Sequence, residues 1–168
     1  MELVDIVDKS GHIIRKMVSK QLAHEKGYLH KTVIAEIIDK DGNMTLVKQA
    51  DHKQDAGQYV SPVGGHVRSS ETDEEALKRE AMEEIGIGNF DFKYIGSLIF
   101  NREVLGRKEN HYFQIYEIRW NRKLVLNHES IEYRKFSQQE LQRELKQNPH
   151  LFGEAFNVLV KTYYTKLL

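Results

Sequence analysis

The chain has 168 residues, 40% hydrophobic and 30% charged, the composition of a single soluble domain with an ordinary core and not of a disordered chain. Lys+Arg and Asp+Glu each number 25, so the formal net charge is zero and there is no global basic field to collect nucleic acid. Cysteine is absent, which excludes disulfides, a disulfide-linked partner, thiolate zinc sites and a cysteine nucleophile together, and fits a reducing compartment.

The N-terminus carries Glu2, Asp5 and Asp8 where a secretory leader would carry basic residues and then an apolar run. No stretch approaches the run of about 18 apolar residues that a membrane helix needs. The chain therefore reads as cytoplasmic, with no membrane partner. No repeat or linker divides it, so one domain is expected over 1–168. Leu3 to Val7 reads as a strand closed by a Ser10-Gly11 turn, and the mixed stretch Ile14 to Ala23 as a short helix. Thr32 to Ile38 is a buried strand, Asp41-Gly42-Asn43 a turn, and Met44 to Val47 the returning hairpin strand. Tyr59 to Val67 reads as a strand interrupted by Pro62, Gly64 and Gly65. Ser69 to Ile85 is the clearest helix, with capping-box spacing at Thr72 and Glu75 and a stop at Gly86. Strands follow at Phe92 to Phe100 and Tyr112 to Trp120, separated by a charged loop from Asn101 to His111, and then at Ile131 to Phe136. Helical patterns close the chain at Ser137 to Leu145 and Phe152 to Leu168. This order implies an α/β layered domain around a mixed sheet.

The central helix is electrostatically odd. Glu71, Asp73, Glu74, Glu75, Glu80, Glu83 and Glu84 face only Lys78 and Arg79, in a chain that is neutral overall. Acids at a helix N-terminus oppose its dipole favourably, by about 0.3–1 kcal/mol each, but Glu83 and Glu84 sit in the last turn, where the dipole disfavours them. Glu80, Glu83 and Glu84 share an arc of about 100°, beside the apolar stripe Leu77, Ala81 and Ile85. Two carboxylates ~6 Å apart repel by ~3 kcal/mol at an effective dielectric of 20. A solvated acidic face tolerates this. A half-buried cleft edge needs a compensating cation, and oxygen donors suit Mg²⁺.

Gly65, Glu71, Arg79, Glu80, Glu83, Glu84 and Gly86, with apolar Ala81 and Ile87, fit the spacing G-x5-E-x7-R-E-U-x-E-E-x-G-U without mismatch. This resembles the signature of the Nudix hydrolases, and Pro62 to Val67 looks like that family's strand-turn entry to it. The resemblance implies the Nudix α/β/α sandwich with a central mixed sheet. It also implies hydrolysis of a nucleoside diphosphate linked to some group X, with Mg²⁺ or Mn²⁺ as cofactor. Residue by residue, it makes Glu80 and Glu84 metal ligands and Glu83 a ligand or the group that orients water. The Gly64 carbonyl is a further ligand, and Gly64 and Gly65 take positive φ so that the backbone can approach the metal. Arg79 pairs with a motif carboxylate, Glu71 supports the loop, and Glu129 supplies an extra metal-binding or base carboxylate. Glu83, Arg79 and Glu129 thus form the catalytic set. The partner is a small phosphorylated molecule, a nucleotide derivative, and family habit implies a homodimer.

The flanks are similar to isopentenyl-diphosphate isomerase, a Nudix-fold enzyme that uses three histidines and two glutamates as metal ligands. His24, His30 and His66 fall near the histidine positions, with the His24–His30 gap one residue short. Glu109 matches one glutamate, and His111 stands at the other. The isomerase also needs a cysteine two residues before its equivalent of His66, where this chain has Gly64. Three functions therefore stand side by side. They are a Mg²⁺-dependent diphosphate hydrolase, an isomerase of isoprenoid diphosphates, and a non-catalytic nucleotide-binding module. The intact motif carboxylates favour the first. Tyr59, Phe100, Arg102 and Tyr112 are candidates for stacking on a base or meeting phosphate.

Overall fold

The computed structural model describes residues 1–168. In chain order its elements are β1 (Leu3–Val7), β2 (Ile13–Ser19), α1 (Lys20–Lys26), β3 (His30–Ile38), β4 (Met44–Gln49), β5 (Tyr59–Val60) and β6 (Val63–His66). They continue with α2 (Asp73–Ile85), β7 (Asp91–Val104), β8 (Arg107–Arg119), β9 (Ser130–Phe136), α3 (Gln138–Gln147) and α4 (Glu154–Tyr163). β3 is the strand on which the rest is assembled. It pairs antiparallel with β1, β4 and β6, and parallel with β8 from His30↔His111 to Ile38↔Arg119. β8 also pairs antiparallel with β7, and β9 with β4, so the sheet is mixed.

Side-chain alternation on β3 builds the layers. Val33, Ala35 and Ile37 face α2 and share a core with its Ala76, Leu77, Ala81 and Ile85. Ile34 points to the opposite face and packs with Ile115 and Leu159 of α4. Met44, Leu46 and Phe136 join Leu141 of α3 and Phe156 of α4 in the second core. Each fully buried Leu or Ile on α2 contributes about 1.5–3 kcal/mol. The result is the expected α/β/α sandwich. No helix is long and apolar enough to cross a membrane.

Four local expectations need correction. Ile14 to Ala23 is not one helix: β2 pairs with β1, and Ser19 caps α1 by accepting the Leu22 N–H at 3.2 Å. The apolar residues Ile13, Ile14 and Met17 stand exposed on this outer strand and mimic a helical pattern. α2 begins at Asp73 and not at Ser69, because Ser70 is left-handed (φ 68°) and Thr72 and Glu75 close the capping box beyond it. The segment Asn101 to His111 is not a loop. β7 and β8 run on to a two-residue turn at Leu105-Gly106, both at positive φ (50° and 72°). Its charges alternate so that opposite signs meet across the strands, as in Arg102–Glu109 at 3.0 Å. The last helical stretch breaks at Tyr163 and ends in a short 3₁₀ turn at Thr165–Leu167.

Candidate active site

Antiparallel pairing of β6 with β3 lays Gly64 and Gly65 opposite Ile34 and Val33, alongside the carboxylate face of α2. Neither glycine is left-handed, contrary to expectation. Their value is close approach: a Cβ on Gly65 would collide with the Glu80 carboxylate. The Gly64 N–H donates to Glu84 Oε2 at 2.8 Å, so the recorded contact of Gly64 with the cluster is made by its N–H.

Arg79 organises the acids. Its Nε and Nη2 donate to the two oxygens of Glu71 at 2.7 and 2.9 Å, a bidentate fork. Nη2 also donates to the His66 carbonyl at 2.9 Å, and Nη1 donates to Glu80 and lies 3.6 Å from Glu83. Glu71 in turn accepts the Arg68 N–H at 3.0 Å and holds the loop before α2, as expected. One guanidinium thus ties β6, the entry loop and α2 together.

Glu84 has no such cation. Burial pushes its carboxyl well above the usual carboxylate range, and the nearby Glu80 and Glu129 push in the same direction. Burial also raises Glu80, against the pull of Arg79. Glu129 arrives from a segment far along the chain. The Val125 N–H donates to Ile85 O at 3.0 Å and the Asn127 N–H to Glu84 O at 3.2 Å, which fastens the strand-entry loop to the last turn of α2. Glu129 then sits beside Glu84, with Lys53 Nζ at 3.2 Å from its carboxylate. Glu83 is half exposed at the rim.

These groups line a cleft of about 370 Å³ that also takes in Lys53, Arg68, His66 and His111. Of the four candidates for substrate contact, Phe100 and Arg102 reach the cleft wall and Tyr59 and Tyr112 do not. Tyr59 is a core residue whose hydroxyl donates to Glu132 at 2.6 Å. Tyr112 instead bonds Ser97 at 3.2 Å. The Arg102 fork is occupied by Asp55 at 2.9 and 3.1 Å and by Glu109 at 3.0 Å.

At the other end of the cleft, four imidazoles converge. His24 comes from α1, His30 from the start of β3, His66 from the end of β6 and His111 from β8. One ligand atom from each lies within 4.8 Å of the others. Burial lowers all four pKa values, that of His24 to about 4, so the rings are neutral at pH 7. The isomerase resemblance singled out three of these residues as histidine ligands and set His111 only at a glutamate position, not as a fourth histidine of the group. The missing signal is the parallel β3–β8 register, which sets His30 beside His111. Glu109, aligned with an isomerase ligand, has both oxygens held by arginines: Arg102 at 3.0 Å and Arg107 at 2.7 Å.

A helix of carboxylates latched by one arginine beside a glycine strand matches a known family. Residues 28–153 match the family model described as NUDIX domain, and the chain belongs to that family of hydrolases, which generally use a divalent metal. An isopentenyl-diphosphate Delta-isomerase of Aliivibrio fischeri (strain MJ11) is 30% identical over 99% of this chain and 95% of its own length. The CTP pyrophosphohydrolase of Escherichia coli (strain K12) is 37% identical over 45% of this chain and 53% of its own length. An uncharacterized Nudix hydrolase of Yersinia pestis is 29% identical over 61% of this chain, which spans only 57% of that relative. The crystal structure of DR0079 from Deinococcus radiodurans superposes with a TM-score of 0.76 at 20% identity, covering 97% of this chain and 99% of the other, and so shares the fold.

Proposed function

We propose that the protein is a Mg²⁺-dependent hydrolase of a diphosphate linkage in a nucleoside diphosphate derivative. The observation that carries this reading is the Glu84 carboxyl, crowded beside Glu80 and Glu129 with no cation of its own, since Arg79 pairs with Glu80 and Lys53 with Glu129. All the donors there are oxygens, which suits a hard divalent cation such as Mg²⁺ or Mn²⁺. Glu80, Glu83 and Glu84 would hold it, with the Gly64 carbonyl as the further ligand while its N–H stays on Glu84. Bound there, the cation supplies Lewis-acid activation of water and neutralises charge on the phosphate oxygens.

The chain's own residues do the rest. Glu83, half exposed at the rim, orients the attacking water, and Glu129 takes its proton. Water oxygen bonds to phosphorus as the bridging P–O bond breaks, and the leaving phosphate departs along the cleft. Lys53 and Arg68 line that cleft and meet phosphate oxygens. Arg79 acts as a positioning residue, holding Glu80 and the β6 backbone in register. In the same reading the enzyme is cytoplasmic, a single domain, and homodimeric. A panel of nucleoside diphosphate derivatives, assayed with Mg²⁺ and again with EDTA, tests the proposal. Metal-dependent release of phosphorylated products is expected; no turnover of any member of the panel would overturn it in favour of a non-catalytic binding module.

A second reading, isomerisation of an isoprenoid diphosphate, draws support from the whole-chain likeness to the Aliivibrio isomerase. Gly64 stands in place of the cysteine that chemistry needs, and Glu109 is tied to two arginines. Incubation with isopentenyl diphosphate should therefore give no dimethylallyl product, and product masses separate the two readings.

A further inference from the structure

We propose that His24, His30, His66 and His111 form an all-nitrogen site for a transition-metal ion of the zinc class, and that this ion clips the N-terminal unit onto the sheet. The site is distinct from the oxygen site on α2. It keeps the three histidines of the isomerase resemblance, has His111 in place of one glutamate and leaves out the other, Glu109, which turns a mixed donor set into an all-nitrogen one.

The first argument is spacing. Two nitrogens bound tetrahedrally to zinc at 2.0–2.1 Å lie about 3.3–3.4 Å apart. The Nε2 atoms of His24 and His66 are 3.3 Å apart. The remaining ligand atoms fall within 4.8 Å, so inward shifts of about 1 Å would close the shell on a Zn–N length near 2 Å.

The second argument is unmet hydrogen bonding. His30 Nε2 and His111 Nε2 are buried and have no partner. His30 is fully buried, and its Nδ1 lies 2.7 Å from the Tyr28 carbonyl. A carbonyl only accepts, so Nδ1 carries the proton and Nε2 presents a lone pair to the cluster. This is the outer hydrogen bond that orients a metal-bound histidine. A buried acceptor left unpaired is destabilising, and a coordinate bond removes that penalty.

The third argument is the donor set. Glu109 cannot join, because Arg102 and Arg107 hold its two oxygens. His111 takes the fourth place, leaving imidazoles alone. Imidazole favours zinc, nickel, copper and iron over magnesium, which demands oxygen. A four-nitrogen set with no open position is the pattern of a structural site.

The ligands also say what the ion joins. His30, His66 and His111 belong to the sheet within the family-matched residues, whereas His24 lies on α1, before residue 28. β1, β2 and α1 share a small apolar core of Val4, Ile6, Val18 and Ala23. Metal ligation through His24 fastens this unit to the main sheet.

The test uses the full chain, stripped of metal and titrated with Co²⁺ near neutral pH. The expected result is a single equivalent with the visible absorption of four-coordinate cobalt. Zn²⁺ displaces it, a large excess of Mg²⁺ does not, and Zn²⁺ raises the melting temperature. His111→Gln and His24→Gln should each abolish the four-coordinate band, while Glu109→Gln and Glu84→Gln keep it. Should His111→Gln fail to fold by circular dichroism, His24→Gln on the outer helix decides. Three results overturn the proposal: no stoichiometric cobalt binding, a band that survives in folded His24→Gln or His111→Gln, or a band lost in Glu109→Gln.

Discussion

The two ends of the cleft face the same physical problem and resolve it in opposite ways. At one end Glu80, Glu84 and Glu129 are crowded against the glycines of β6, and burial drives the Glu80 and Glu84 carboxyls upward. At the other end four imidazoles are crowded between α1 and β8, and burial drives their pKa values down. The acids become costly when ionised and need cations: Arg79 and Lys53 pair with Glu80 and Glu129, and the proposed divalent ion would serve Glu84. The imidazoles become uncharged and remain electron-pair donors. In the proposed reading, burial thus suits one end of the cleft to a hard ion and the other to a borderline one.

The largest expected effect breaks the acid end. Glu84→Gln keeps shape and the contact with the Gly64 N–H but removes the charge. Turnover should fall by about three orders of magnitude or more, equivalent to ~4 kcal/mol of barrier, with the fold retained by circular dichroism. Near-normal turnover at saturating Mg²⁺ would show that the buried carboxylate serves structure alone.

Arg79→Ala comes next. Losing the bidentate fork should loosen Glu71 and Glu80 together, lowering turnover less than Glu84→Gln does. A rise in the Mg²⁺ concentration needed for half-maximal rate is the sign of lost positioning. Wild-type metal dependence in this variant would remove Arg79 from the account.

A buried acid with neither arginine nor metal sharpens the comparison. Glu36 is fully buried on β3, accepts a hydrogen bond from the Ser61 hydroxyl, and leaves Oε2 unpartnered. Burial pushes its pKa up to about 7 from 4.5. Its folded pKa exceeds its unfolded one, so the native state holds the proton more tightly. Stability is therefore lost as pH rises from 4.5 to 7, by on the order of 3 kcal/mol. Glu36→Gln should remove that loss, so that urea midpoints of variant and wild type diverge between pH 5 and pH 8. The metal-free imidazoles act with the opposite sign. Their folded pKa values lie below 6.5, so the unfolded chain binds more protons and stability falls as pH drops below that value. Parallel curves for wild type and Glu36→Gln across the range would refute the assignment to Glu36.

The smallest effect concerns the helix that carries the acids. Thr72→Ala removes the capping box of α2 and should cost about 1 kcal/mol. Thermal denaturation reads it directly, and a change within error would mean that the acidic first turn suffices.

The acid end was legible because its parts are local. Glu80, Glu83 and Glu84 share a helix face by spacing alone, and the cap and stop of α2 stand at fixed offsets from them. Gly65 and Arg79 were also legible, through a family pattern. Glu129 was expected at the site, but its route there was not visible, since backbone bonds from Val125 and Asn127 to α2 leave no mark in composition. The imidazole end depends on strand register. His30 and His111 are 81 positions apart and meet only because β3 and β8 run parallel in one alignment. The charged stretch from Asn101 to His111 hid that strand, since alternating cross-strand ion pairs look like a solvated loop. Likewise Ile13, Ile14 and Met17 put apolar residues on an exposed strand and suggested a helix that starts only after Ser19.

The backbone ties between α2 and the segment before β9 also make the site's lifetime shorter than the fold's. Glu129 keeps its place only while the Ile85 and Glu84 carbonyls hold the amides of Val125 and Asn127. These bonds lie at a helix terminus, where sub-global openings start at much lower free energy than full unfolding. One fraying event there releases Glu129 and loosens the turn that bears Glu84, while both cores stay packed. Amide exchange at Val125 and Asn127 should then run faster than at Val33 or Ile115. On heating, hydrolysis should fade before the far-ultraviolet signal does.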